Sequence, residues 1–475
     1  MSSKQNPLEF ILTAREISPK RNADKRVKDF NEIYLSNKDD KLSRQASRCL
    51  DCGNPYCEWK CPLHNYIPNW LEQVAQGNNQ LAYQLMYETN PLPEICGRVC
   101  PQDRLCEKAC TINTEFGAVT IGEIEKNISD QGIKNNWSTN LQKAPVKKNK
   151  VAIIGAGPGG LACADQLARN GIKPTVYDLH PEIGGLLTFG IPSFKLEKQV
   201  IRKRRKYLED LGVKFKLNTN VGTDITFDQI NSEYDCFFLA MGTYKNVTTD
   251  IPNINAKGVL QALDYLIGNI NYLENFKFRS ANYHDLKGKN VIVLGGGDTA
   301  MDCVRTAIRQ QAKKVTCVYR RDQLSMPGSP AEVNNAQQEG VNFLFNYSPV
   351  SVEIDPIEKS VKGINLQQTV LDNDNKIKSL ENSTMLMQAD TIITAFGFRA
   401  SPADWFREYE IKVDSSGLII TGKKANKLGA CQTTADNVFA GGDMVRGADL
   451  VVTAIADGIK AANEMINYLS EKISE

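Results

Sequence analysis

Val151-Ala-Ile-Ile154 runs straight into Gly155-Ala156-Gly157-Pro158-Gly159-Gly160 and then into a helical stretch, Leu161–Asn170. A short apolar strand, a glycine turn and a helix in register predict the first crossover of a parallel sheet. Gly155 permits the tight turn. Gly157 lets the backbone approach a pyrophosphate at the helix N-terminus, and Gly160 lets helix and strand pack closely. A second apolar run, Thr175–Tyr177, ends at Asp178, where an acid accepts hydrogen bonds from an adenosine ribose. The same device recurs at Val291–Leu294, which leads into Gly295-Gly296-Gly297-Asp298-Thr299-Ala300. There the following run, Val315–Tyr319, ends in Arg320-Arg321 instead of an acid. Guanidinium groups bind a 2′-phosphate that an acid would repel. This sign reversal assigns FAD to the first turn and NADPH to the second.

Two further segments fit a flavin. Gly184-Gly185-Leu186-Leu187 and the residues up to Pro192 are expected against the isoalloxazine. Asn437–Ala440 is expected as a strand ending in Gly441-Gly442-Asp443, with the acid on the ribityl hydroxyls. A helix from about Asp449 to Leu469 would aim its positive end at the flavin. Gly397 and Gly442 are counted with the cofactor-binding positions.

The first third of the chain has a different texture. Of 13 cysteines, eight fall between Cys49 and Cys110. They form two runs, Cys49-x2-Cys52-x4-Cys57-x3-Cys61-Pro62 and Cys96-x3-Cys100-Pro101-x4-Cys106-x3-Cys110. Cysteine followed by proline suits iron–sulfur ligation, where the last thiolate of one run serves the other cluster. Zinc is the rival reading, and only Cys49/Cys52 and Cys96/Cys100 give its paired spacing. Cysteines 163, 236, 303, 317 and 431 sit in apolar contexts and are expected in cores. The stretch from Ile67 to Tyr87 reads as helical, and Trp137–Lys150 as a polar linker.

A chain of 475 residues is too long for one core. The expected division is a helical iron–sulfur domain over 1–145, an FAD-binding domain over 146–285, an NADPH-binding domain over 286–395, and the second part of the FAD-binding domain over 396–475. A net charge of +2 gives no reason to expect nucleic acid as a partner. No apolar run reaches the roughly 18 residues a membrane span needs, and no secretory leader is apparent. Neither a nucleic acid nor a membrane is expected, and the expected location is cytoplasmic.

Several passages together resemble the small (β) subunits of NADPH-dependent glutamate synthases. They are Ser47-Arg-Cys-Leu-Asp-Cys-Gly-Asn-Pro-Tyr-Cys57, Gly97-Arg-Val-Cys-Pro101, Gly185-Leu-Leu-Thr-Phe-Gly-Ile-Pro192, Met326-Pro-Gly-Ser-Pro-Ala-Glu-Val333 and Ala440-Gly-Gly-Asp-Met-Val-Arg-Gly-Ala-Asp449. The resemblance implies two Rossmann-like, disulfide-reductase-like domains for FAD and NADPH, behind a mainly helical iron–sulfur domain. It implies hydride transfer from NADPH to FAD. Electrons would then pass through two 4Fe–4S clusters to a large (α) subunit that makes L-glutamate from L-glutamine and 2-oxoglutarate. Carried over by position, one cluster takes Cys49, Cys52, Cys57 and Cys110. The other takes Cys61, Cys100, Cys106 and Glu125, with Cys96 as the alternative fourth ligand.

The competing activity is that of a stand-alone or bifurcating flavoprotein working on ferredoxin or a pyrimidine. No catalytic acid or base is expected, because hydride transfer needs position more than proton chemistry. Flavin reduction is therefore expected to need only the residues from about 150 onward.

Overall fold

The computed structural model describes residue 6 and residues 8–137, 144–277, 282–372, 374 and 376–471. Part of the expected linker, 138–143, lies outside the described residues.

Residues 8–137 are helical. Their larger helices are Asp39–Ala46, Ile67–Ala75, Asn79–Thr89, Pro93–Val99 and Ile121–Lys134. They close around Trp70, Met86, Tyr87, Ile124 and Ile128, all essentially inaccessible to solvent. The helical stretch expected over Ile67–Tyr87 is two helices. Gly77, at φ +79°, turns the chain between them.

Two five-stranded parallel sheets follow. In space the first orders its strands 438–440, 236–239, 151–154, 175–177 and 214–216. The second orders 259–261, 391–394, 290–294, 314–319 and 342–345. The central strands are buried on both faces, as in Val151–Ile154 and Thr391–Thr394, which is why they read as apolar runs without alternation. A three-stranded antiparallel sheet, Tyr347–Ile354, Val361–Leu371 and Ile377–Gln388, is appended to the second.

The expected boundary at 285/286 is displaced. Val259–Gln261 pairs in parallel with Thr391–Thr394, and Ala262, Tyr265 and Leu266 belong to the core of the second sheet. The chain therefore enters the second unit before residue 259. The return strand Val438–Ala440 pairs with Cys236–Leu239 in the first sheet. Among the described residues no helix is long and apolar enough to cross a membrane.

Candidate functional site

At the first turn the glycines are there for space. Gly155 has φ +110°, and a Cβ on it would lie 2.3 Å from the Ala240 carbonyl oxygen. A Cβ on Gly160 would lie 1.9 Å from Gly155 O. Gly157 differs, because a Cβ there would meet nothing within 4 Å. That gap is open to a ligand, at the head of the helix Pro158–Arg169, whose first residue Pro158 gives up no hydrogen bond there. A cleft opens here. Its lining includes Asp178, Gly185, Leu186, Gly442, Asp443 and Asp449. The cradle at Gly157 and the carboxylates of Asp178 and Asp443 fit FAD.

Asp178 is buried and already engaged. It accepts the Ala156 N–H at 2.6 Å and the His180 N–H at 2.8 Å, and its Oδ1 lies 2.7 Å from His180 Nδ1. Burial pushes Asp443 up to about 6, although Thr243 and a backbone N–H at Asp449 pull it down. The last helix, Val451–Glu471, reaches the cleft with Val451 and Ala454. It is held close by Gly458, where a Cβ would lie 2.1 Å from Gly159 O. His180, Tyr244 and Gly458 were missed from the sequence. His180 stands two residues beyond Asp178 and stacks on Phe189 with ring centroids 4.5 Å apart.

The second turn repeats the packing. A Cβ on Gly295 would lie 2.5 Å from Ala395 O, one on Gly296 would strike the Tyr319 ring, and one on Gly297 would meet nothing. Thr299 lies in the first turn of the helix Asp298–Arg309. Arg320 is exposed and Arg321 half-buried, directly after the strand Lys314–Tyr319. Arg321 Nε is buried without a hydrogen-bond partner. A buried guanidinium N–H without an acceptor, just past the strand that pairs with Asn290–Leu294, fits a phosphate-bearing nucleotide. Gly397, at φ +99°, likewise faces open space.

The cysteines fall into two neighbourhoods. Cys49, Cys52, Cys57 and Cys110 together line a cavity of about 370 Å³. Arg48, fully buried, donates to the carbonyls of Thr13, Phe116, Gly117 and Ala118. It thereby pins the Cys49 turn to the loop that follows Cys110. Cys61, Cys100 and Cys106 each lie within electrostatic reach of Glu125. Cys96 hydrogen-bonds Cys100 and donates to Asn90 Oδ1 at 3.8 Å. Glu125 Oε1 accepts from Asn65 Nδ2 at 3.1 Å and Asn90 Nδ2 at 3.0 Å, and burial pushes this carboxyl up to about 8. Burial also pushes Cys49 and Cys57 up to about 12 and Cys61 to about 11. Bound iron would reverse that, because it stabilises thiolate. Among the described residues no three His, Cys, Asp or Glu side chains gather tightly enough for one metal ion. Thiols spaced around a cavity suit a four-iron cube better than zinc.

The second neighbourhood packs on the FAD unit. Cys96, Cys100 and Leu105 join the core of the first sheet, and Glu94 meets Arg204 at 2.8 Å where both are buried. The N-terminal region also holds the second unit. Arg26 Nε donates to Glu339 Oε1 at 2.8 Å, and Arg104 reaches Asp298. The expectation that residues from about 150 onward stand alone for flavin reduction overlooks these contacts.

Residues 26–137 match the family described as "Dihydropyrimidine dehydrogenase domain II, 4Fe-4S cluster". Residues 149–458 match "Pyridine nucleotide-disulphide oxidoreductase". The chain is 51% identical to the "Glutamate synthase [NADPH] small chain" of Halomonas elongata over 98% of each chain. It is 50% identical to that of Escherichia coli over 98% of this chain and 99% of the other. FprA from Mycobacterium tuberculosis, solved in complex with NADPH, shares the fold at a TM-score of 0.55 and 17% identity, over 69% of this chain and 86% of its own.

Proposed function

The chain belongs to the pyridine nucleotide-disulphide oxidoreductases and, among them, to the small chains of NADPH-dependent glutamate synthase, and on that footing we propose how its residues divide the work. It is an NADPH-dependent oxidoreductase with an iron–sulfur domain. When bound, FAD accepts hydride from NADPH, and iron–sulfur centres carry the electrons on toward the large subunit, where L-glutamine and 2-oxoglutarate become L-glutamate.

The chain's own residues hold and exclude. Gly155, Ala156, Gly157, Pro158 and Gly160 form the FAD pyrophosphate turn, and Asp178 takes the ribose. Gly185, Leu186, Gly397, Gly442 and Asp443 surround the flavin portion. Gly295 to Thr299 receive the NADPH pyrophosphate, and Arg320 with Arg321 the 2′-phosphate. Two 4Fe–4S clusters are held, one by Cys49, Cys52, Cys57 and Cys110. The other is held by Cys61, Cys100, Cys106 and Glu125. Glu125 is favoured over Cys96 because Cys61, Cys100 and Cys106 all lie within electrostatic reach of its carboxylate. Cys100 of the second set packs on the core of the FAD unit, which supports electron passage through that set first.

One observation carries this reading: four thiols from two separate cysteine runs line one cavity in a protein that also carries two dinucleotide turns. The test is Cys49→Ala and Cys110→Ala, purified anaerobically with FAD retained and a normal melting profile. Both variants keep stopped-flow bleaching of the flavin by NADPH and ferricyanide reduction, and both lose glutamate formation with the large subunit. Folded variants that lost bleaching but kept glutamate synthesis would reverse the proposed order.

A further inference from the structure

The second glycine turn carries a charge that disfavours its ligand. Asp298 is the first residue of the helix Asp298–Arg309, at the end where free N–H groups and the helix dipole favour an anion. A bare carboxylate in that position repels a pyrophosphate. Two neighbours offset it. The Ser329 N–H donates to Asp298 Oδ1 at 2.9 Å, and Arg104 Nη2 lies 3.4 Å from Oδ2.

Arg104 does not belong to the nucleotide-binding unit. It lies between Cys100 and Cys106, and its guanidinium crosses the domain junction to reach this turn. There Nη1 also donates to the Pro327 carbonyl at 3.1 Å. Gly328, the next residue, donates its N–H to Gly296 O at 3.0 Å, so Arg104 stands beside the glycine turn itself. The Arg104 and Asp298 side chains stay 45% and 44% exposed, so the pair faces an open mouth. An ion pair that exposed adds little to folding stability. A guanidinium has five donors, and these contacts occupy two of its nitrogens.

We propose that Arg104 binds the dinucleotide pyrophosphate, so that the iron–sulfur domain completes the NADPH site. This rests on reading the second turn as that site. It has a distinctive consequence. The pyrophosphate is common to NADPH and NADH, whereas the 2′-phosphate is not. Loss of Arg104 weakens both nucleotides by the same factor, and loss of Arg320 weakens only the phosphorylated one. Arg104 further acts by neutralising Asp298, so the two positions are coupled.

The experiment titrates oxidised holoprotein with NADP+ and with NAD+ by calorimetry. Arg104→Ala weakens both by about tenfold, and Arg104→Gln, which keeps the side chain's length, weakens both alike. Adding Asp298→Asn to Arg104→Ala restores part of the loss, as a double-mutant cycle requires of coupled charges. A simple strut between domains would move the melting temperature and leave both titrations and the cycle flat. Wild-type affinity in the folded Arg104→Ala and Arg104→Gln variants overturns the inference and leaves the site standing. A wild type that binds neither nucleotide overturns both.

Discussion

The two glycine turns are one device in two settings. In each, the first glycine is jammed under a carbonyl of the neighbouring segment, Ala240 O in one and Ala395 O in the other, and the glycine two residues on, Gly157 or Gly297, faces empty space. Their surroundings diverge. The first opens into a walled cleft with Asp178 buried on its rim and Asp443 within. The second ends on an exposed arginine and an exposed ion pair. A walled cleft with buried acceptors suits a resident cofactor, and an open mouth of positive charge suits one that arrives and leaves. In the proposed reading the turn supplies pyrophosphate binding in both cases, and residence time is set by what is built around it.

Breaking what holds the open unit in place has the largest expected effect. Glu339 is fully buried and receives Arg26, Arg305 and Arg309 together. Burial opposes its ionisation, but hydrogen bonds from Arg305 and Arg309 hold it at about 2. Phe194, from the FAD unit, lies under both guanidiniums, 4.4 and 3.9 Å from its ring centroid. Glu339→Gln strands buried positive charge and costs about 3–5 kcal/mol. A melt followed by circular dichroism falls by about ten degrees. A shift under about two degrees would mean that Glu332, 2.6 Å from Arg305, takes over the compensation.

The next effect separates folding from binding within the first turn. Gly160→Ala puts a methyl against Gly155 O and costs about 3 kcal/mol of stability. Gly157→Ala has room for its methyl in the protein alone. It melts like the wild type once stripped of FAD, yet fails to retain FAD on gel filtration. Equal FAD content in Gly157→Ala and wild type would show that the pyrophosphate does not approach this residue.

The same divergence explains how far the sequence could be read. Central strands such as Val151–Ile154 are buried on both faces and announce themselves as apolar runs, and the acid and arginines that end them follow in register. Ile377–Gln388 is mostly exposed, so it carries no apolar pattern and the antiparallel sheet went unseen. Val259–Gln261 falls within the expected FAD-binding span, 146–285, because three half-buried residues carry no sign of their partner strand. Arg26 and Arg104 were missed for another reason. Their partners, Glu339 and Asp298, lie 313 and 194 residues away, and no local periodicity reports a contact at that range. Two spaced runs of eight cysteines have few other uses, so an iron–sulfur domain was legible, whereas the grouping of Cys49, Cys52 and Cys57 with Cys110 came only from the family resemblance.

Specificity at the open site is the third test. Arg320→Ala removes one charge-assisted contact, worth about 1.5–3 kcal/mol. The Michaelis constant for NADPH rises roughly 10- to 150-fold, and that for NADH stays within about twofold. Steady-state ferricyanide reduction measures both. A parallel rise for the two nucleotides would place Arg320 on their shared portion and remove the basis for preferring NADPH.

The smallest effect is a pH dependence of the walled site. Asp443 ordinarily ionises near 3.8, and burial raises it to about 6 in the folded protein. Between those values the folded protein binds the proton that the unfolded chain has lost. Asp443 therefore stabilises the fold most at the low end of that window, and the contribution is lost as pH rises through 6. FAD pulls the other way, because ribityl hydroxyls donate to the carboxylate and favour the anion. FAD affinity consequently rises with pH up to about 6 and then levels, by at most about tenfold between pH 5 and 7. Fluorescence of released flavin in dilute holoprotein measures this, and Asp443→Asn flattens it. A step near pH 6 in flavin release that survived Asp443→Asn would overturn the assignment of the titration to Asp443.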